Sequence, residues 1–272
     1  MKYKLIALDL DGTLKNSDNQ ITAKTKEALI EVQKQGVKIV LASGRPTAGL
    51  RHEAKELLLD EFGGYLLSFN GARVGTVPNQ ETVYEQTLSV EEAKKVYIQA
   101  KQYNLACMTY KNDSIYTEDI DDEYVCIEAK INDIRKYQVS SFIDILENPI
   151  HKVLLTGTPE YIASIEEEFK KPFGNELSIY RSAPFFLEVM AKNIDKAASL
   201  DRLAKSLGIK QEEVIAFGDG YNDLSMIEYA GLGVAMENAV EEVKQRAKVV
   251  TKSNNEDGIA YVLSQIYEGV EY

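Results

Sequence analysis

The run Leu5-Ile6-Ala7-Leu8, followed at once by Asp9-Leu10-Asp11-Gly12, constrains this chain more than any other stretch. A short, unbroken apolar run suits a strand buried on both faces of a parallel sheet. Two aspartates have no structural use inside such a strand, because burying unpaired charge is expensive. They belong just past its carboxyl end, where open α/β sheets bind their ligands. Gly12 supplies the turn that ends the run.

The same rhythm recurs. Residues 22–35 read as an amphipathic helix stopped by Gly36, and 37–41 as a second apolar strand that delivers Ser43-Gly44-Arg45. Pro46 suits the first turn of a helix reaching about residue 60, and a strand over 65–69 ends in Asn70-Gly71-Ala72. This alternation predicts an α/β fold with a doubly wound, Rossmann-like parallel sheet. Right-handed crossovers then bring Asp9, Ser43 and Asn70 to one edge.

From about residue 83 the pattern changes. Ser89-Val90-Glu91-Glu92 is a capping box opening a helix to residue 103. Strands over 106–110 and 114–117 flank Lys111-Asn112-Asp113, which is hairpin chemistry. The charge-rich stretch 119–136 has no clear period, and the run 118–123 reads as a solvated face. A strand over 151–156, a helix over 159–170 capped by Thr158-Pro159, and strands over 177–181 and 185–190 follow. The expectation is an α+β cap domain, 83–187, inserted into a core made of 1–82 and 188–272. In the returning core, Asp195 caps a helix to residue 207 and a strand over 214–217 runs into Gly218-Asp219-Gly220-Tyr221-Asn222-Asp223. After it come a strand over 232–236, a helix capped by Asn238 and running to 247, a strand over 248–251 and a terminal helix over 256–267.

Charge narrows the partners. Against 31 Lys plus Arg stand 43 Asp plus Glu, a formal net charge of −12, which disfavours nucleic acid. No stretch approaches the roughly 20 apolar residues of a membrane span, and Asp9 and Asp11 interrupt the first apolar run too early for a secretory signal. Cys107 and Cys126 make no metal-ligand spacing and read as reduced structural thiols, so the expected compartment is the cytoplasm. No interface stripe stands out, so the expected state is a monomer or weak homo-oligomer.

The sheet edge thus gathers Asp9, Asp11, Ser43, Lys196, Asp219, Asn222 and Asp223. Four carboxylates repel one another by roughly 1 kcal/mol per pair in water, and an oxygen-only cluster of this kind calls for Mg²⁺. Ser43, Lys196 and Asn222 complement an anion such as phosphate, with backbone N–H groups near Leu10 and Gly44 as further donors. Asp9, first after the strand, is best placed to attack phosphorus as a carboxylate nucleophile. Asp11 can protonate the leaving oxygen and then deprotonate a water.

Asp9-Leu10-Asp11-Gly12-Thr13-Leu14, Leu41-Ala42-Ser43-Gly44-Arg45 and Gly218-Asp219-Gly220-Tyr221-Asn222-Asp223 resemble three of the four motifs of the haloacid dehalogenase superfamily, with Lys196 in the place of the fourth motif's lysine. Ser68-Phe69-Asn70-Gly71-Ala72, Met236-Glu237-Asn238-Ala239 and Asn255-Glu256-Asp257-Gly258 further resemble its Cof-type phosphatases. The resemblance implies Asp9 as nucleophile, Asp11 as general acid and base, and Mg²⁺ held by Asp9, the Asp11 carbonyl and Asp219, with Asp223 in support. It implies phosphate held by the Leu10 backbone, Ser43, Gly44, Lys196 and Asn222. Asn193-Ile194-Asp195-Lys196-Ala197 departs from the Lys-Gly of many relatives, which affects the local turn.

The expected activity is a Mg²⁺-dependent phosphatase of small phosphorylated metabolites, sugar phosphates foremost; the alternatives are a hexose phosphomutase and a non-catalytic phospho-ligand binder. Arg45, at the end of the second motif, stands between a phosphate contact and a solvated neighbour. His52 and His151 read as structural, and Tyr110, Tyr116, Phe185 and Phe186 as core of the cap. Lys152 reads as structural more readily than as a residue facing the site.

Overall fold

Alternation along the first apolar run decides the architecture. In the structure, a computed structural model describing residues 2–79, 81–267 and 269, Leu5 and Ala7 pack on one side of the sheet and Ile6 and Leu8 on the other. The chain divides into two units, one made of 1–44, 50–85 and 195–272, the other of 45–49 and 86–194.

The strands of the first unit are β1 (Leu5–Leu8), β2 (Lys38–Ala42), β3 (Tyr65–Ser68), β4 (Arg73–Thr76) and β5 (Thr82–Glu85). The inserted unit supplies β6 (Ala106–Lys111), β7 (Ser114–Thr117), β8 (Arg135–Gln138), β9 (Lys152–Thr156), β10 (Leu177–Ala183) and β11 (Phe186–Ala191). The first unit then resumes with β12 (Val214–Gly218), β13 (Leu232–Ala235) and β14 (Val249–Val250). Its eight strands run in the order β14-β13-β12-β1-β2-β3-β4-β5, parallel from β14 to β3, with β4 and β5 antiparallel at the edge.

Helices cover both faces of that sheet. Those of the first unit are α1 (Ala23–Lys34), α2 (Arg51–Glu56) and α3 (Leu59–Phe62) before the insertion, which itself carries α4 (Val90–Gln102), α5 (Glu123–Asn132) and α6 (Pro159–Lys170) on its own sheet. After it come α7 (Lys196–Ser206), α8 (Leu224–Tyr229), α9 (Glu241–Arg246) and α10 (Gly258–Tyr267). Ile6, Leu8, Ile39, Leu41 and Phe217 meet Leu29 and Val32 of α1 and Val262 and Leu263 of α10. Val40, Ala42 and Ala216 meet Leu200 and Leu203 of α7 and Met226 of α8. Burial on both faces explains why these strands read as continuous apolar runs.

The inserted unit carries a six-stranded sheet in the order β10-β11-β9-β6-β7-β8, antiparallel except for the β7–β8 pair. Asn112 and Asp113 both take positive φ at the β6–β7 turn, 49° and 59°, as a two-residue hairpin turn requires. Cys107, Val153, Leu155 and Leu187 pack under α4 and α6, while Met108, Leu154 and Phe186 pack with Val125 and Ala129 of α5.

Four expectations need correction, and one stretch without an assignment gains a helix. The core–insert edges at 83 and 187 fall inside β5 and β11, and the units divide instead at Gln86 and Asp195. The helix over 46–60 is broken: 47–50 form a 3₁₀ turn, and Leu58 takes φ 57° between α2 and α3. Leu57 and Leu59 both enter the same core, whereas in one continuous helix they would point roughly 200° apart. The charge-rich stretch holds α5, opened by Asp122, whose carboxylate accepts from the Tyr124 and Val125 N–H groups at 3.0 Å. Glu118 is not merely solvated, because it accepts from Tyr97 Oη at 2.7 Å and from the Phe142 N–H at 2.8 Å. Asn238 does not cap α9, whose N-cap is Val240.

Candidate active site

The site lies at the carboxyl edge of the parallel strands of the first unit. β1 ends at Leu8, and the next amide, Asp9, still donates to Phe217 O at 3.0 Å, so its carboxylate starts from a fixed backbone. Lys196 is the first residue of α7. Asp195 caps that helix by accepting from the Ala198 N–H at 2.9 Å, and Ser199 Oγ donates to Gly71 O at 2.7 Å. Thus anchored, Lys196 is only 1% exposed. Its Nζ donates to Asp9 Oδ1 at 2.7 Å, Asp223 Oδ1 at 2.5 Å and Ala42 O at 2.9 Å, one acceptor for each of its three hydrogens. Ala197 in place of glycine leaves that reach intact.

Asp223 organises the next turn. Its Oδ2 accepts from the Asp219 and Gly220 N–H groups at 3.0 and 2.9 Å, while Oδ1 faces Lys196. Asp219 Oδ1 accepts from Thr13 Oγ1 at 2.7 Å. Gly12 sits against that carboxylate at φ 86°, and a Cβ there would lie 2.4 Å from Asp219 Oδ2. Only glycine fits both demands.

Asp9, Asp219 and Asp223 each offer an oxygen within 4.8 Å of the others. Burial first, then Asp223, holds the Asp9 carboxyl well above its usual range, against the pull of Lys196. Burial likewise raises Asp219 to about 6, opposed by the Thr13 hydroxyl and assisted by Asp223. Burial disfavours the charge on Lys196, but Asp223 and Asp9 outweigh it and keep the ammonium above its ordinary value. Crowded oxygens reluctant to ionise together are the donor set a hard divalent cation relieves. The arrangement fits such an ion. Asp11 is exposed and its side chain stands outside this trio.

A second group of polar atoms adjoins the first. Ser43 is buried at the end of β2, and its backbone is fixed on both sides: its N–H donates to Leu67 O and its carbonyl accepts from the Asn70 N–H, each at 2.9 Å. Gly44 packs on the Asn70 amide, where a Cβ would stand 3.1 Å from Nδ2. Asn222 Nδ2 donates to Asn70 Oδ1 at 3.2 Å. The Leu10 side chain is fully buried, so any contact it makes with a ligand runs through its backbone. Thr13 and Asn70, which hold Asp219 and Asn222, were given no role from sequence. Thr13 lies inside the first motif, which is the one signal that could have marked it.

The family model of haloacid dehalogenase-like hydrolases matches residues 6–263. The chain belongs to this family. A crystal structure of a haloacid dehalogenase-like hydrolase from Bacteroides thetaiotaomicron is similar at TM-score 0.93 and 43% identity, covering 97% of this chain and 99% of that one. YxeH of Bacillus subtilis strain 168, which carries a provisional phosphatase designation, is 36% identical over 97% of this chain and 98% of its own. The structure of the haloacid dehalogenase subclass IIB sugar phosphatase BT4131 is similar at TM-score 0.79 and 29% identity, covering 97% and 99% of the two chains.

In this haloacid dehalogenase-like hydrolase the remaining candidates fall elsewhere. Arg45 Nη1 donates to the Ile131 carbonyl at 2.9 Å, and 45–49 group with the inserted unit. His52 is 86% exposed, 4.0 Å from Glu56, and His151 is half-buried just before β9. Lys152 is buried 3.4 Å from Glu188 with its ammonium 5.2 Å from the Tyr110 ring centroid. Phe185 stacks on Tyr124 at 4.8 Å and meets Phe186 edge-on at 4.7 Å, inside the inserted unit's core. Tyr116 pairs with Tyr137 at 5.3 Å. No helix among the described residues is long and apolar enough to cross a membrane.

Proposed function

We propose that this protein is a Mg²⁺-dependent phosphatase that hydrolyses small phosphorylated metabolites, sugar phosphates foremost, through an aspartyl-phosphate on Asp9. The observation that carries this reading is the buried cluster in which Lys196 serves Asp9 and Asp223 while Asp219 stands beside them. Membership of a hydrolase family and likeness to a sugar phosphatase support it.

The chain's residues divide the work. Lys196, Ser43, Asn222 and the backbone at Leu10 and Gly44 bind the phosphoryl oxygens by charge and hydrogen bonds. An Asp9 oxygen attacks phosphorus in line, and the bond to the leaving oxygen breaks as Asp11 gives that oxygen its proton. Asp11 then takes a proton from water, whose oxygen attacks phosphorus and releases the Asp9 carboxylate. Asp9, Asp219 and the Asp11 carbonyl would hold Mg²⁺, with Asp223 behind them. The ion, when bound, neutralises the anions that must approach one another. The inserted unit acts as a cap that selects the leaving group. Its free thiols, Cys107 and Cys126, fit a reducing cytoplasmic setting.

Phosphate release measured over sugar phosphates, sugar-acid phosphates, nucleotides and cofactor phosphates tests the reading. Turnover of at least one sugar phosphate, stopped by EDTA and restored by Mg²⁺, is the expected result. Asp9→Asn should abolish it with the circular dichroism spectrum unchanged. Persistent turnover by that variant would remove Asp9 as nucleophile, and turnover only with a sugar bisphosphate added would favour the mutase.

A further inference from the structure

Two sequence motifs, Met236-Glu237-Asn238-Ala239 and Asn255-Glu256-Asp257-Gly258, find no role in the chemistry above. In the fold they lie after β13 and β14, beyond β12 from the catalytic strand. Their side chains, with the neighbouring Asn254, nevertheless reach back to the segment that follows Asp11. Asn238 Nδ2 donates to Gly12 O at 2.8 Å, and Asn254 Nδ2 donates to Lys15 O at 2.8 Å. The two are joined, because the Asn254 N–H donates to Asn238 Oδ1 at 3.0 Å. Farther out, Asn255 Oδ1 accepts from the Ser17 N–H at 2.9 Å, and Asp257 Oδ1 accepts from Thr22 Oγ1 at 2.5 Å.

The loop bearing Asn238 also grips the other side of the site. The Val240 N–H donates to Asp219 O at 3.0 Å, and the Met236 N–H to Gly218 O at 3.1 Å. One short loop therefore holds the Gly12 carbonyl through a side chain and the Asp219 carbonyl through its backbone. On the Asp11 side the turn is compact, with the Leu14 N–H on Asp9 O at 3.2 Å and the Lys15 N–H on Leu10 O at 2.9 Å. The Lys15 ammonium is buried 3.1 Å from Glu53. Asn238 stands where a helix cap was expected, yet its amide is committed to Gly12 and Asn254.

We propose that Asn238 and Asn254 are positioning residues that fix the turn carrying Asp11 against the Asp219 turn, and so hold the Asp11 carboxyl where it protonates the leaving oxygen. The inference rests on the reading of Asp11 as the acid. A carboxyl on a free turn would sample many positions, and misplacement by about 1 Å costs on the order of 10²-fold in rate. Asn238 is itself exposed, and an exposed hydrogen bond adds little to stability. Its removal should loosen the turn without unfolding the protein.

The test compares two leaving groups in single turnovers of the Mg²⁺-loaded enzyme. An alkoxide from a sugar phosphate needs a proton as it departs, whereas nitrophenolate leaves without one. Asp11→Asn sets the benchmark: a large loss with the alkyl ester and a much smaller one with p-nitrophenyl phosphate. Asn238→Ala and Asn254→Ala should reproduce that bias, with about 10²-fold slower alkyl release, and should speed amide exchange across residues 12–15. Asn255→Ala, at the distal end, should speed exchange near Ser17 without the bias. Equal losses on both esters, no loss, or unchanged exchange in both pair variants would overturn the proposal, as would the same bias in Asn255→Ala. If Asp11→Asn itself shows no bias, the assignment of Asp11 falls and takes this inference with it. If the wild-type enzyme turns over neither ester, the phosphatase reading has failed instead.

Discussion

Lys196 joins the chain's electrostatics to its chemistry. Its ammonium is buried, and it is kept charged only because Asp9 and Asp223 face it at hydrogen-bond distance. Removing it leaves two buried carboxylates without their counter-ion, which costs about 3 kcal/mol in comparable cases. On the proposed chemistry it also removes a preorganised positive group from beside the phosphoryl group, an effect of about 10²-fold or more on turnover. For Lys196→Ala we therefore expect both a lower urea midpoint and a loss of phosphate release. A loss of stability with near-normal turnover would assign the lysine to structure alone. At this scale the sequence was legible where residues follow strand ends, because topology brings Asp9, Ser43 and Asp219 to one sheet edge, while Lys196 reaches them from the start of α7. Thr13 and Asn238 were not legible in the same way. Their partners, Asp219 and Gly12, lie 206 and 226 residues away, and no local pattern says which loops meet.

Elements were legible where their ends carry chemistry. Ser89, Thr158 and Asp195 each cap the helix assigned to them, and Thr22, read as the first helical residue, is the cap of α1. The Ser89 box is complete, with Ser89 Oγ accepting from the Glu92 N–H at 3.2 Å and Glu92 Oε2 accepting from the Ser89 N–H at 2.8 Å. Ser89→Ala should cost about 1 kcal/mol, read as a shift in the denaturation midpoint with phosphate release unchanged. A shift of nothing would mean that packing of Val96 and Ala100 alone sets α4. Elsewhere the ends were not legible. The break at Leu58 follows from the burial of Leu57 and Leu59 in one core, a tertiary demand that overrides helical period. In 119–136, dense charge hid α5, although Asp122 held a legible capping position.

At the scale of the whole molecule, the parallel core and its insertion were readable from the change of rhythm. The edges were not, because β4 and β5 extend the core sheet by antiparallel pairing, and such edge strands resemble hairpin strands anywhere. The acidic cluster of Asp9, Asp219 and Asp223 also acts on the whole molecule, through linkage. Asp219 is raised from 3.8 to about 6 in the folded, metal-free protein. The folded state then binds more protons than the unfolded one between those values. This contribution to stability is present below pH about 4 and is lost as pH rises through about 6. On the proposed reading Mg²⁺ would require the ionised carboxylate, and so would replace the proton above that window. Adding Mg²⁺ should therefore raise Tm more at pH 7.5 than at pH 5, by mass action on the folded state. An equal rise at both pH values would place the ion away from Asp219.

The order of strands in the core sheet has a consequence for biosynthesis. Ala7 pairs with Ala216, so β1 has no neighbour on its β12 side until synthesis has passed residue 216. Strands β6 to β11 all lie between these partners in sequence, and they pair only with one another. The inserted unit thus has every strand it needs while β1 still lacks one neighbour. Closing such long loops late is slow. During that interval the apolar residues 5–8 lack one of the two strand neighbours that later flank them, and an unpaired apolar strand edge is open to aggregation.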